Sequence, residues 1–580
     1  MAFLRLLSFV LYSLPLAFAG DDDWESPVYN YLFEFPLPIP STLAPLTTYT
    51  NPNTSVPIDF YEIKIQPFQR RQYPNLGLAN LVGYNGQAPG PTIRVTRGRE
   101  TVVRFINQQT RPSSIHLHGS ASRAAWDGWA EDVLEPGQYK DYYYPNTQAA
   151  RTLWYHDHAE GITAVNAYQG QAGFYIIDDP VDAALGLPSG QYDIPLALNA
   201  KFYKSNGDLL SIAGEEDEWW GDVIEVNGQP WPYLAVEPRK YRFRLLDAAA
   251  DRSFSLSLMN GNTKVPFTVI GSDSGLLSQS VSTNNLRIAM AERWEIIVDF
   301  APFAGKNLTL TNARDVFKDE DYFGTDRVMR FKVGNAVSST ANNGPVPTNL
   351  ANLHLPPVQR TAVDRSFLFE HTNSEWRING VGFADVANRI LARPQRGKVE
   401  LWKLENGSGG WSHPIHIHLV DFQIKSRVGG RNAVSAYEQK ALKDVVSLGP
   451  NEAVTVLMQF QPHHGVYMFH CHNLVHEDHD MMAAFNVTQL QNFQYDTQDL
   501  LIDPMEPRWR AQPYPGTTNL QQVRDVVLPR FAATGAYANL EEIEAELNQV
   551  HGYAKREVSR KIRAERREGR ERLRRSVVEG

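Results

Sequence analysis

A chain of 580 residues that is 42% apolar and carries 36 prolines and 40 glycines is too long for one hydrophobic core and too apolar to stay unfolded, so two to four strand-rich domains are expected. Its formal net charge of −9 argues against nucleic acid as a partner of the folded body. A single cysteine rules out any internal disulfide.

In chain order the first predicted element is "MAFLRLLSFVLYSLPLAFAG". One basic residue, an apolar run from Leu6 to Phe18 and a small-x-small site at Ala17-Phe18-Ala19 predict a secretory signal peptide over residues 1–19, cleaved near Ala19. The run is shorter than the roughly 20 residues of a spanning helix and no later segment approaches that length, so no membrane partner is expected. Sequons at Asn53, Asn307, Asn406 and Asn486 agree with a secreted glycoprotein, extracellular or associated with a cell wall, although each tripeptide alone arises often by chance.

Three repeats follow. "GRETVVRFINQQTRPSSIHLHGS" (98–120), "EPRKYRFRLLDAAADRSFSLSLMNG" (237–261) and "QRGKVELWKLENGSGGWSHPIHIHLVD" (395–421) each hold an alternating strand, a polar turn and a second alternating strand. A later pattern recurs as "YYYPNTQAARTLWYHDHAEG", "AERWEIIVDFAPFAG" and "EAVTVLMQFQPHHGVYMFHCHNLVHED", so the repeat is about 150 residues long. An all-β chain is predicted, with Greek-key domains over 50–185, 186–345 and 360–490. The linkers "DDPVDAALGLPSG" (178–190) and "GNAVSSTANNGPVPTNL" (334–350) are rich in turn formers.

Residues 491–580 form a C-terminal extension. From Lys555 to Arg575 it carries eleven Lys or Arg against four Glu. From Asn539 onward it reads as a polar helix or a disordered tail, that is, a solvated extension or a processed propeptide.

The chemistry lies in the outer repeats. Four His-x-His pairs occur, His116 and His118, His156 and His158, His416 and His418, His470 and His472, while the middle repeat has none and reads as a spacer or wall. Residues i and i+2 of a strand face one side, so each pair projects two imidazoles together. One pair alone would be weak evidence for a metal, and zinc would be its default ion, but a structural zinc site needs four ligands and eight imply more than one ion. The alternation that sends His470 and His472 to one face sends Cys471 to the other. There His413, His476 and Met481 complete two imidazoles, a thiolate and a weak thioether, the ligand set of a blue-copper centre. A buried inert thiol would leave those three neighbours unexplained.

From about residue 50 to 515 the chain resembles the multicopper oxidases in the order and spacing of "HLHG", "WYHDH", "HPIHIH" and "HCHNLVHEDHDMM". "INGVGFADVANRILA", "WSHPIHIHLVDF", "VYMFHCHNLVHEDHDMMAAFNVT" and "DPMEPRWRAQPY" resemble the fungal bilirubin oxidases of that family more closely. The resemblance implies cupredoxin-like β-barrel domains and four coppers per chain, one type 1, one type 2 and two type 3. It gives the type 1 ion to His413, Cys471, His476 and axial Met481, and the type 2 ion to His116 and His416. One type 3 ion falls to His118, His156 and His472, the other to His158, His418 and His470. Methionine at the axial position differs from laccases with Leu or Phe there and implies a lower potential.

The same resemblance implies that dioxygen is reduced to water with electrons from a small aromatic or tetrapyrrole donor, that Asp127 and Glu477 relay protons, and that Trp411 lies beside the type 1 copper where a flat donor stacks. Ordinary packing or orientation of ligand histidines is the plainer role for each of these three. Oxidative coupling of a phenolic or polyketide pigment precursor, as in laccases, is an alternative. A copper-binding electron carrier without turnover is another, opposed by the full set of eight histidines. Oxidation of ferrous ion would need acidic residues at the type 1 edge, where only Glu477 and Asp478 are evident from sequence. Three such domains suffice to build the copper set in one chain, so a monomer is expected.

Overall fold

The computed structural model describes residues 24–216, 218–314, 316–317, 319–490 and 501–553. The predicted signal peptide and the basic run from Lys555 lie outside the described residues.

The described strands form six sheets that pack as three successive sandwiches of cupredoxin-like, Greek-key character, the all-β architecture expected. Period-two patterning drives it. Along Pro57–Arg70 buried and less buried side chains alternate over the second half, because one face meets the core and the other does not. Asn-Gly pairs close hairpins: Asn227 (φ 51°) and Gly228 (φ 75°) join Val223–Val226 to Gln229–Pro230, a two-residue turn that requires positive φ at both positions.

In the first sandwich the site-bearing sheet runs, in order, Thr42–Leu43, Gly90–Thr96, Ala172–Asp178, Arg151–Asp157 and Ile115–His118. The third sandwich has a matching sheet of Ile390–Ala392, Met482–Val487, Gly465–Cys471, His413–Ile417 and Val445–Leu448. Register places His116 opposite His156 and His416 opposite His470, so the two sheets present their histidines in equivalent places. The middle sandwich, a seven-stranded and a six-stranded sheet, contains the long strand Arg293–Asp299 that reaches the site.

One expectation is corrected. From Asn539 the described residues 539–553 contain the polar helix, one of the two alternatives, docked on the body and not a solvated tail, and the extension before it is packed as well: Leu501, Val523, Leu528, Phe531 and Tyr537 join the core of the first sandwich, and Gln512–Pro513 adds a strand beside Gln138–Tyr144. The helix Leu540–Val550 buries Leu540 and Leu547, and beyond it the Tyr553 hydroxyl accepts from Val399 N at 3.2 Å and Arg396 O lies 2.8 Å from His551 Nε2, so the extension spans from the first sandwich to the third. Leu540, Ile543 and Leu547 carry the helical spacing that signalled this, outweighed in the sequence by their charged neighbours.

Candidate metal centre

Each His-x-His pair lies on or at the end of a strand, and all eight imidazoles are buried where the first and third sandwiches meet. They fall into three groups. His116 Nε2 and His416 Nε2 stand 3.3 Å apart. His158, His418 and His470 converge through Nε2 at 3.1 and 3.2 Å. His118 Nδ1 and His156 Nε2 are 3.4 Å apart, with His472 completing the group.

Second partners fix which nitrogen faces inward in His116, His418 and His156. His116 Nδ1 donates to the Asp127 carbonyl at 2.5 Å, His418 Nδ1 to the Asp127 carboxylate at 2.7 Å, and His156 Nδ1 to the Asp157 carbonyl at 2.7 Å. Burial, reinforced by neighbouring imidazoles, holds His116, His118, His156, His416 and His418 well below the ordinary histidine range, and burial takes His472 down to about 3. These six rings are therefore neutral, and in the pairs His116–His416 and His118–His156 lone pair faces lone pair. Two nitrogens about 2.0 Å from one ion stand about 3.3 Å apart, so the spacing fits metal ions between them.

On the opposite face of the same strand, Cys471 Sγ lies 3.4 Å from His413 Nδ1 and 3.7 Å from His476 Nδ1, while these two nitrogens are 3.2 Å apart. Burial pushes the Cys471 thiol well above its usual range, so ionisation there calls for a cation between these ligands. Asn473 N donates to the sulfur at 3.4 Å. Met481 is buried in the same core, and its carbonyl accepts from Cys471 N at 3.0 Å.

The acidic candidates lie at the imidazole cluster. Glu477 is 3.0 Å from His470 Nδ1 and 3.5 Å from His158 Nδ1. Burial alone would raise its carboxyl, but His470 and His158 bring it down to about 2. Asp127 is raised well above the carboxylate range by burial, and its Oδ1 has no hydrogen-bond partner among the described residues. Asp478 faces elsewhere: its carboxylate accepts from Thr163 N and Ala164 N, both at 2.9 Å. Neither Glu477 nor Asp478 is among the residues that line the cavity at the edge of the Cys471 group, so the acidic edge that ferrous-ion oxidation would need does not come from them.

That edge opens on a cavity of about 220 Å³ lined by Trp220, Asp251, Phe317, Asp319, Trp411 and His476, among others. Trp411 meets His476 edge-on, with centroids 5.6 Å apart. Trp376, which the sequence did not single out, stacks on His476 at 3.7 Å and carries His371 stacked on it at 4.1 Å. Its signal was an aromatic on an alternating strand, indistinguishable from core. Asp444, Arg293 and Asp251 were likewise missed, since nothing local marks them.

Comparisons with known proteins bear on these groups. Family models described as multicopper oxidase match residues 68–182 and 356–491. A bilirubin oxidase of Albifimbria verrucaria is 54% identical over 84% of this chain and 86% of its own length, and a laccase of Bacillus subtilis is 32% identical over 78% and 98%. Among solved structures, McoA multicopper oxidase from Aquifex aeolicus matches with a TM-score of 0.69 at 27% identity, covering 78% of this chain and 99% of that one.

Proposed function

This chain belongs to the multicopper oxidase family, and on that premise we propose that its two groups of buried ligands hold four coppers in named places. The type 1 ion is assigned to His413, Cys471, His476 and Met481, and the type 2 ion to His116 and His416. The type 3 ions are assigned to His118, His156 and His472 and to His158, His418 and His470. The convergence of these ring nitrogens at 3.1 to 3.4 Å is the observation that carries the assignment. When bound, copper supplies one-electron oxidation of a donor at the type 1 site and four-electron reduction of dioxygen to two waters at the other three ions.

The protein's own residues organise the rest. His413 Nε2 is taken by Ser408 Oγ at 2.5 Å, whereas His476 lines the cavity, so donors approach through His476. The peptide bonds flanking Cys471 join it directly to His470 and His472. Asp127, its carboxyl raised by burial, accepts from His418, and Glu477 lies beside His158 and His470, so both acids stand at the cluster where a proton relay needs them.

For the donor, likeness to a bilirubin oxidase supports tetrapyrroles and phenols. The cavity of about 220 Å³ is below the few hundred Å³ usual for a whole drug-sized ligand, so it takes one aromatic ring at a time. That favours the laccase-like coupling of phenolic pigment precursors as the second reading. The proposal includes a monomer, secreted after cleavage near Ala19. It also includes glycans on exposed Asn53 and Asn307 but not on Asn406, whose buried Nδ2 donates to Trp411 O and Gly449 O.

Metal analysis and an absorption spectrum of copper-loaded protein test the assignment. About four coppers per chain, an intense blue band and a near-ultraviolet shoulder are expected. Zinc without colour would overturn it.

A further inference from the structure

Asp127 holds two rings in a crossed pattern. Its carbonyl accepts from His116, the first histidine of its own sandwich's HLH, and its carboxylate accepts from His418, the second histidine of the other sandwich's HIH. Asp444, just before the strand Val445–Leu448, repeats that pattern in mirror order. Its carbonyl accepts from His416 Nδ1 at 2.8 Å, the first histidine of its own sandwich, and its carboxylate accepts from His118 Nε2 at 3.1 Å, the second of the other.

The two carboxylates differ in what stands behind them. Asp444 receives a bidentate Arg293 guanidinium, Nη1 to Oδ1 at 2.7 Å and Nη2 to Oδ2 at 2.5 Å, from the middle sandwich. Arg293 N in turn donates to Asp273 at 2.7 Å, and Asp273 accepts from the backbone N of Asp444 and Val445, each at 3.2 Å. Every member is buried. The glycine of "HLHG" belongs to this arrangement: a Cβ on Gly119 (φ +87°) would lie 2.6 Å from Arg293 Nη2 and 2.6 Å from Asp444 Oδ2.

We propose that Asp444, anchored by Arg293, is the positioning residue that sets the tautomers of His118 and His416, the third sandwich's counterpart of Asp127, and that the middle sandwich thereby holds the metal cluster in shape. Donation from His118 Nε2 leaves Nδ1 facing His156, and donation from His416 Nδ1 leaves Nε2 facing His116, the inward nitrogens found above. The inference rests on reading these histidines as copper ligands.

The test uses full-length copper-loaded enzyme in the variants Asp444→Asn, Arg293→Met, Arg293→Lys and Gly119→Ala. Arg244→Lys is the control: Arg244 is an equally buried arginine of the middle sandwich, paired with Asp193 and Glu295 and touching no candidate ligand. Expected are an affinity for the type 2 copper lower by about 10–100-fold, a reshaped or missing type 2 electron-paramagnetic signal and an unchanged blue band in the first two variants. Arg293→Lys should recover part of the signal, and Gly119→Ala should reshape it without removing any charge. Full copper with an unaltered type 2 signal in Asp444→Asn and Arg293→Met would overturn the proposal, as would equal loss of that signal in Arg244→Lys. Failure of the underlying ligand assignment would appear instead in the unmutated enzyme, as fewer than four coppers.

Discussion

At the scale of single residues, side chains with local patterns were legible and side chains defined by distant partners were not. His-x-His spacing dictates two rings on one strand face, and "HCH" dictates a thiol on the other, so strand geometry alone separates the two metal groups. Asp444 sits in "LKDVV", a stretch with no local mark, and its partners His118 and Arg293 lie 326 and 151 residues away. Trp376 and Trp411 exchange prominence for the same reason. Trp376 is buried and stacked face-on to His476, while Trp411 is edge-on and lines the cavity. Trp376→Ala should therefore cost about 3–5 kcal/mol of stability and alter the blue band, because it opens a void against a candidate ligand. Trp411→Ala should instead raise KM for aromatic donors severalfold with little change in the melting temperature. Thermal unfolding and steady-state kinetics on both variants check the contrast.

At the scale of elements, strands and hairpins followed from alternation and Asn-Gly turns, whereas the C-terminal helices were masked by charge. Trp126, the residue before Asp127, is packed by Trp509 at 5.0 Å and Phe531 at 5.6 Å from the extension. The Tyr537 hydroxyl donates to Tyr143 O at 2.6 Å, and the Arg123 guanidinium donates to Ala536 O at 2.9 Å. The extension thus holds the turn that presents Asp127. Leu547, fully buried, covers Gly397, where a Cβ would come within 2.7 Å of it. Leu547→Ala should destabilise the protein by about 2–4 kcal/mol, read from denaturant midpoints, because it empties the contact that docks the last helix on the third sandwich. An unchanged midpoint would mean that this helix contributes nothing to the fold.

At the scale of the whole molecule, Asp444 ties the third sandwich to the middle one through Arg293, and a carboxylate buried within the third sandwich, Glu438, makes stability depend on acid. Burial would raise Glu438, but Arg427 and Arg431 bring its carboxyl from 4.5 down to about 2. A group depressed on folding contributes stability that is complete above its unfolded value and lost as pH falls through its folded one, here the window from about 4.5 to about 2. Glu438→Gln should accordingly lose on the order of 3 kcal/mol at pH 7, with the gap to the unmutated protein narrowing as pH falls across that window. Melting curves of both forms at stepped pH would reveal the narrowing, and a constant gap would refute it. The repeat made the three-part plan readable, but how the parts face one another was not, because those contacts join side chains hundreds of residues apart. One of them has a mechanical consequence. His116 and His416, 300 residues apart in the chain, meet at 3.3 Å with no donor between their facing nitrogens. An ion seated there works as a rivet across the seam of two lobes, closing a loop that the chain alone pays to hold. Chelating the copper should lower the melting temperature by several degrees and bring the first protease cuts to this seam, so that the catalyst doubles as the fastener of its own housing.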